Sequence, residues 1–342
     1  MIKGKQHTAQ LIILFFLVLM IILAWYAGLS TSRLINDSLI RVFMNGVLVL
    51  SLLPMLNAGA GINYGLPVGI QAGLLGMCTA VNFGCQGLLG FTAALLLSAF
   101  FAVLFGYVYA LILNHLKGRE EIAGIFIGFS TVYLMCFFWA TAPYSNPAML
   151  WPIGGQGLRL TIGLQDYFFK VLNHLWVINI GHFILPLGMG LFFVCLCFLT
   201  YLFFKTKLGT AINAVGENPA FCKLSGINID RTRTMAIILS TVLAALGICV
   251  YAQSFGFIEL YEAPLMMAFP AASAILIGGS KGASTSILQV ILGTFLFQSV
   301  YVYTGPVANT LLMPEVSEIV RVIMVNGIIL YALIYAGRRE QA

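Results

Sequence analysis

The sequence predicts an all-α, polytopic membrane protein of about ten transmembrane helices, and three observations carry that prediction. Hydrophobic residues make up 61% of the 342 positions and charged residues only 8%, too little polar surface to cover a soluble globule. Mean hydropathy is +1.00. Apolar runs of about 17–25 residues, the length that crosses a bilayer, recur along the whole chain. The net charge of +6 is modest, and nucleic-acid binding is not indicated.

The spans are expected at about 10–29, 39–57, 64–80, 87–113, 122–142, 177–203, 234–255, 264–279, 285–303 and 318–336, within one domain covering 1–342. An even number puts both termini on one side. With that side cytoplasmic, Lys3, Lys5, Lys117, Arg119, Lys205, Lys207, Lys223, Arg231, Arg233, Lys281, Arg338 and Arg339 fall inside. Arg33, Arg41, Arg159, Lys170 and Arg321 fall outside or near the outer boundary. Twelve against five is the bias that orients membrane proteins. The first span lacks a small-residue cleavage site and is read as a retained helix.

The seven cysteines lie mostly inside spans without metal-ligand spacing, and the four histidines are scattered, so neither a metal nor a catalytic constellation is expected. His182 is read as interfacial, near the outer end of the sixth span. Sliding the chain by 203 positions pairs Pro67 with Pro270, Gly76 with Gly279, Ala80 with Ala283, Gln86 with Gln289, Leu89 with Leu292 and Gly90 with Gly293. The paired spans run in opposite senses, the pattern of an inverted internal repeat with halves at 39–142 and 234–336.

Amides crowd the first of these halves. Asn57, Asn63, Gln71 and Gln86, with the aromatics Tyr64 and Phe83, are candidate lining for a substrate pathway, while Gly65, Gly69 and Gly73 form a stripe that lets another backbone approach. Interhelical hydrogen bonding is the competing reading for each amide. Because no Lys, Arg, Asp or Glu is expected deep in the membrane, the solute is expected to be uncharged or zwitterionic, small and polar.

The stretch Ala214–Asp230, "AVGENPAFCKLSGINID", is polar where the rest is oily. Asn218 can cap a helix, Pro219 suits its first position and Gly226 can leave it left-handed. A two-turn helix over about Pro219–Ser225 is expected within a cytoplasmic loop, 205–233.

"LGTAINAVGENPAFCKLSGINI" resembles the cytoplasmic segment of permease subunits of bacterial ABC importers for ribose, simple sugars, nucleosides and branched-chain amino acids. "PAASAILIGGSKGASTSILQVILGTFL" resembles the segment that follows in the same family. The resemblance implies a coupling helix that seats in an ATPase subunit, carried by Gly216, Glu217, Asn218, Pro219, Leu224, Ser225 and Gly226. Phe221-Cys222 departs from the small residues usual there. "GINYGLPVG" stands nearer the nucleoside-type "I-N-I-G" than the ribose-type pattern, with Asn63 in place of an acid.

No phosphate-binding G-x-x-x-x-G-K-[ST] run is present, so ATP and Mg are expected on a partner ABC ATPase and no cofactor on this chain. The implied assembly adds a second permease protomer, identical or homologous, and an extracytoplasmic solute-binding protein, in the lipid of the bacterial inner membrane. Trp151, Asp166 and Lys170 in the outer loop 143–176, with Glu259 and Glu262 in 257–263, are the candidate docking residues for that binding protein. A simple sugar or nucleoside is the favoured solute. Branched-chain amino acids or another small metabolite are the alternative, and an ion-coupled secondary transporter is the more distant rival.

Overall fold

The computed structural model describes residues 8–311, apart from 153, 154, 156, 181, 182 and 281, together with scattered helical positions between 316 and 330. His182, Lys281 and most of the span expected at 318–336 lie outside the described residues. Helices α1 (Thr8–Tyr26), α2 (Thr31–Leu50), α3 (Leu53–Asn57), α4 (Leu66–Asn82), α5 (Gly87–His115) and α6 (Glu120–Thr141) form the first half. A polar segment follows with β1 (Thr161–Gly163), α7 (Val171–His174), β2 (Val177–Ile180) and β3 (Phe183–Pro186). Then come α8 (Leu187–Lys205), α9 (Lys207–Glu217), α10 (Pro219–Leu224), α11 (Ile229–Phe255) and β4 (Phe257–Glu259). A 3-10 turn (Ala263–Met267), α12 (Ala268–Ile277) and α13 (Ile287–Leu311) complete it. Among the described residues, six helices are long and apolar enough to cross a membrane, and three shorter apolar helices accompany them.

Helix α4 is the hub, because its glycines remove the side chains that would hold neighbours away. A Cβ on Gly69 would lie 2.7 Å from the Thr241 carbonyl oxygen, and one on Gly73 would lie 2.7 Å from that of Ala245, so α11 packs backbone against backbone on this face. On another face Gly76 leaves room for Ser98 of α5. The Ser98 hydroxyl donates to the Gly73 carbonyl at 3.0 Å and lies 3.2 Å from the Cys249 sulfur, tying all three helices at mid-depth. Where lipid gives helices no hydrophobic reason to associate, small residues and such bonds supply the packing.

Among the boundaries that differ from the sequence expectation, two change what the elements carry. Helix α2 begins at Thr31, eight residues before the expected span, and so carries Asp37 as well as Arg41 within it. It stops where Pro54 would lack the N–H for the carbonyl of Leu50, and α3 restarts the helix. The expected sixth span, 177–203, opens instead as the β2–β3 hairpin, with α8 starting only at Leu187. Its apolar run is rich in β-branched residues and ends in Pro186, and a short run of that kind suits a strand as well as a helix.

The connections gather at two ends. At one, called the α10 end, Asn57 meets Thr285, Gly59 meets Gly216, Lys117 pairs with Asp230, and Gln10 of α1 donates to the Gly278 carbonyl at 2.8 Å. At the other, the cap end, β1 pairs antiparallel with β4, setting Thr161 opposite Glu259. The Gly87 amide there donates to the Tyr167 carbonyl at 2.7 Å.

Candidate functional site

The polar stretch forms two helices rather than one. Helix α9 starts at Thr206, whose hydroxyl accepts from the Gly209 amide at 3.3 Å, and ends at Asn218. Ile212 and Val215 are its buried side, a helical spacing whose significance the sequence reading missed. Asn218 then caps α10, its side-chain oxygen accepting from the Phe221 amide at 3.0 Å, with Pro219 in the first turn. Gly226 leaves at φ +77, with open space where a Cβ would go. The same-element departure Phe221-Cys222 has a structural consequence: Cys222 is fully buried and anchors α10, whereas Phe221 and Leu224 stand 63% and 89% exposed. Glu217, Asn218, Pro219, Ser225 and Gly226 are exposed as well. The result is an apolar knob on a capped, protruding helix.

Beneath this knob, Gly216 touches the spans directly. A Cβ there would overlap the Asn57 carbonyl oxygen and lie 2.9 Å from the Cβ of Ala283, so only glycine lets α9 close on both. The Asn57 amide donates to the Thr285 carbonyl at 3.2 Å, and its side-chain oxygen accepts from the Thr285 amide at 3.0 Å. The protruding helix, the end of α3 and the turn before α13 therefore form one contact set. A second set joins α6 to its neighbours. Glu121 accepts from the Ile62 amide at 2.8 Å, while Glu120 and Arg233 form a buried ion pair between α6 and α11.

The six candidate pathway residues do not share one lining. Asn57 is committed to Thr285, and Asn63 donates to Ser240 at 2.9 Å and accepts from Tyr109 at 2.9 Å. Tyr64 packs its ring 5.6 Å from that of Phe269. Phe83, 72% exposed, and Gln86, also exposed, lie at the cap end, about 28 Å from Tyr64 by helical rise. Alternation of amides along a helix fixes their sequence spacing but not which end or face meets a cavity. Gln71 stands apart, wholly buried with neither amide atom hydrogen-bonded.

An open cleft of about 430 Å³ lies toward the cap end instead, walled by α2, the end of α11 and α13. Asp37 and Arg41 face it one helical turn apart. Asp37 enters the helix because α2 starts earlier than the expected span 39–57, whereas Arg41 stands inside that span, near the boundary where the sequence puts it.

The cap brings the candidate docking loops together. Leu260 donates to the Leu160 carbonyl at 3.1 Å, and the Tyr261 hydroxyl donates to that of Leu158 at 3.0 Å. Trp151, Asp166, Glu259 and Glu262 are all exposed. Lys170 is half-buried, with its Nζ 5.0 Å from the centre of the Phe169 ring. Tyr144, whose phenol burial pushes up to about 12, stays protonated and hydrogen-bonds Thr79 at 3.0 Å, fixing the cap to α4.

With this geometry in hand, comparison with known proteins is specific. The chain is 26% identical over 305 residues to an autoinducer 2 import system permease protein, LsrC, of Yersinia enterocolitica, covering 87% of this chain and 75% of that one. It is 28% identical over 139 residues to a nucleoside ABC transporter permease protein, NupB, of Lactococcus lactis. It is 32% identical over 118 residues to a tyrosine transport system permease protein of Clostridioides difficile. The last two matches span only 36% and 40% of those relatives' lengths. The sequence model of the branched-chain amino acid transport system / permease component family matches residues 8–330. The chain belongs to that family, the membrane-embedded permease subunits of ABC transporters.

Proposed function

We propose that this chain is the translocating subunit of an ATP-driven importer for a simple sugar or nucleoside delivered by an extracytoplasmic binding protein. The observation that carries this reading is α10: a capped helix with Phe221 and Leu224 outermost, joined through Gly216 to the ends of the spans. Such a short helix is not stable alone, and its exposed apolar side chains suit the groove of a partner. ATP and Mg belong to that partner, an ABC ATPase, and a second permease protomer, identical or homologous, completes the membrane part. Relatives named for nucleosides and autoinducer 2 support a small polar solute, and the tyrosine relative supports the amino-acid alternative.

In this reading the α10 end is cytoplasmic, both termini lie there, and the protein sits in the bacterial inner membrane with about ten spans. The cap formed around β1 and β4 receives the binding protein. The pairs α4–α5 and α12–α13 are read as inverted counterparts, supported by their opposite directions. Their register is not element for element, since Gly76 lies inside α4 whereas Gly279 lies beyond α12 at φ +84.

The test is reconstitution of the chain with its ATPase and binding protein in proteoliposomes. ATP-dependent uptake of ribose or uridine, with ATP hydrolysis stimulated by the loaded binding protein, is the expected result. Uptake that runs on an ion gradient without ATP would overturn the reading. Sidedness is checked by single cysteines at positions 151 and 281 in a cysteine-free background: an impermeant thiol reagent added outside should label the first and not the second.

A further inference from the structure

The cleft between α2, α11 and α13 is assigned no role by the coupling geometry, and its chemistry is unusual for a helix long enough to span a membrane. Asp37 and Arg41 are neighbours on one face of α2, yet they form no ion pair with each other or with any other described residue. The Arg41 guanidinium lies 5.1 Å over the centre of the Tyr301 ring. A cation held over a ring face is attracted without spending its N–H donors, which stay available. Phe255, 43% exposed, adds an aromatic wall backed by Tyr251, stacked at 5.4 Å. In α13, Pro306 removes the helical donor to the carbonyl of Val302, which also borders the cleft.

Ionisable groups inside a membrane span are costly and mark pathways by default. These two have opposite signs, so the cleft is close to neutral overall and a simple ion would gain from one group and lose to the other. A carboxylate only accepts and a guanidinium only donates. The occupant must therefore offer a donor and an acceptor on neighbouring atoms, together with a face for the aromatic wall. The volume falls in the range of small-molecule sites. We propose that this cleft is a solute-contact site in the outer half of the pathway, in which vicinal hydroxyls of a sugar or ribose ring bridge Asp37 and Arg41. The proposal rests on the importer reading above and adds the solute chemistry of a site that reading leaves open.

The test uses the reconstituted complex, with ribose and uridine as probes, 2,3-dideoxyribose and 2′-deoxyuridine as their counterparts without a vicinal diol, and tyrosine as the zwitterion. Wild-type import is measured first. Tyrosine import alone, or import of none of the three parent probes, refutes the diol chemistry together with the sugar-or-nucleoside reading. Given ribose or uridine import, Asp37→Asn and Arg41→Gln should each lower it about tenfold, the scale of one lost charge-assisted hydrogen bond. For the deoxy counterpart one of the two substitutions should cost about twofold or less, because the hydroxyl that residue would hold is already gone, while the other keeps its effect through any hydroxyl that remains. Asp37→Glu should recover most of the rate. Unchanged uptake in both variants, or a loss from each of the two substitutions that is the same for parent and deoxy probes, overturns the cleft proposal and leaves the importer reading standing.

Discussion

Asn57 and Thr285, 228 positions apart, exchange two hydrogen bonds, so that the end of α3 and the turn entering α13 are held as one unit. Gly216 rests against the Asn57 carbonyl and Ala283, placing the segment that precedes α10 directly on this junction. Motion imposed on α10 would then reach both α2–α3 and α13, two of the three walls of the cleft that Asp37 and Arg41 face.

Asn57→Leu should break this transmission. It deletes both bonds, leaving the Thr285 amide only the Gly282 carbonyl at 3.1 Å and the buried Thr285 carbonyl without its side-chain donor, at a cost of about 1–3 kcal/mol. The expected outcome is a complex that assembles and hydrolyses ATP but no longer responds to the loaded binding protein. Retained stimulation would show that the junction is only packing.

Gly216→Val should act at the same point by steric means. Any Cβ overlaps the Asn57 carbonyl, and a branched one forces α9 away from α3. Stimulated ATP hydrolysis in proteoliposomes should fall severalfold, whereas the same substitution at Gly282, where the Cβ site is open, should leave assembly with the ATPase intact despite its positive φ.

Gln71→Leu separates packing from pathway. Both amide atoms are buried without hydrogen bonds, so replacing them by a similar apolar volume should raise the melting temperature, with about 1–3 kcal/mol of desolvation relieved. Uptake should nevertheless slow, with the binding protein's affinity unchanged, because an amide kept at that cost is expected to meet water or solute in another state. A lowered melting temperature would contradict this account.

Removing one member of the Glu120–Arg233 pair should be severe. Both side chains are buried, and an orphaned buried charge costs about 3–5 kcal/mol. Glu120→Leu should therefore lower the melting temperature in detergent markedly, and the double variant Glu120→Leu/Arg233→Met should recover most of the loss. Equal destabilisation by the single and the double variants would count against a coupled pair.

What the sequence made legible follows from how local each signal is. Asn218, Pro219 and Gly226 punctuate α10 through their own backbone and side-chain chemistry, so that helix could be placed to within a residue. The glycine stripe on α4 announced close packing, but its partner, α11, is 170 residues away and carries no matching mark. The amides of Asn57 and Asn63 found their partners in Thr285, Ser240 and Tyr109, which only the tertiary fold brings near. The β2–β3 hairpin was hidden because a run such as Val177–Ile180 is apolar in either secondary structure. Asp37 escaped notice for the opposite reason: the apolar run begins after it, although the helix begins before, and Arg41 was legible only as a charge near the outer boundary.

Helix α10 is proposed to meet an ATPase, and photo-crosslinking from position 224 tests that contact most directly. With Leu224 replaced by a benzophenone amino acid in the full complex, illumination should yield one adduct with the ATPase subunit, its yield changing when ATP is added. An adduct with lipid alone, in a complex that still hydrolyses ATP on demand of the loaded binding protein, would contradict it.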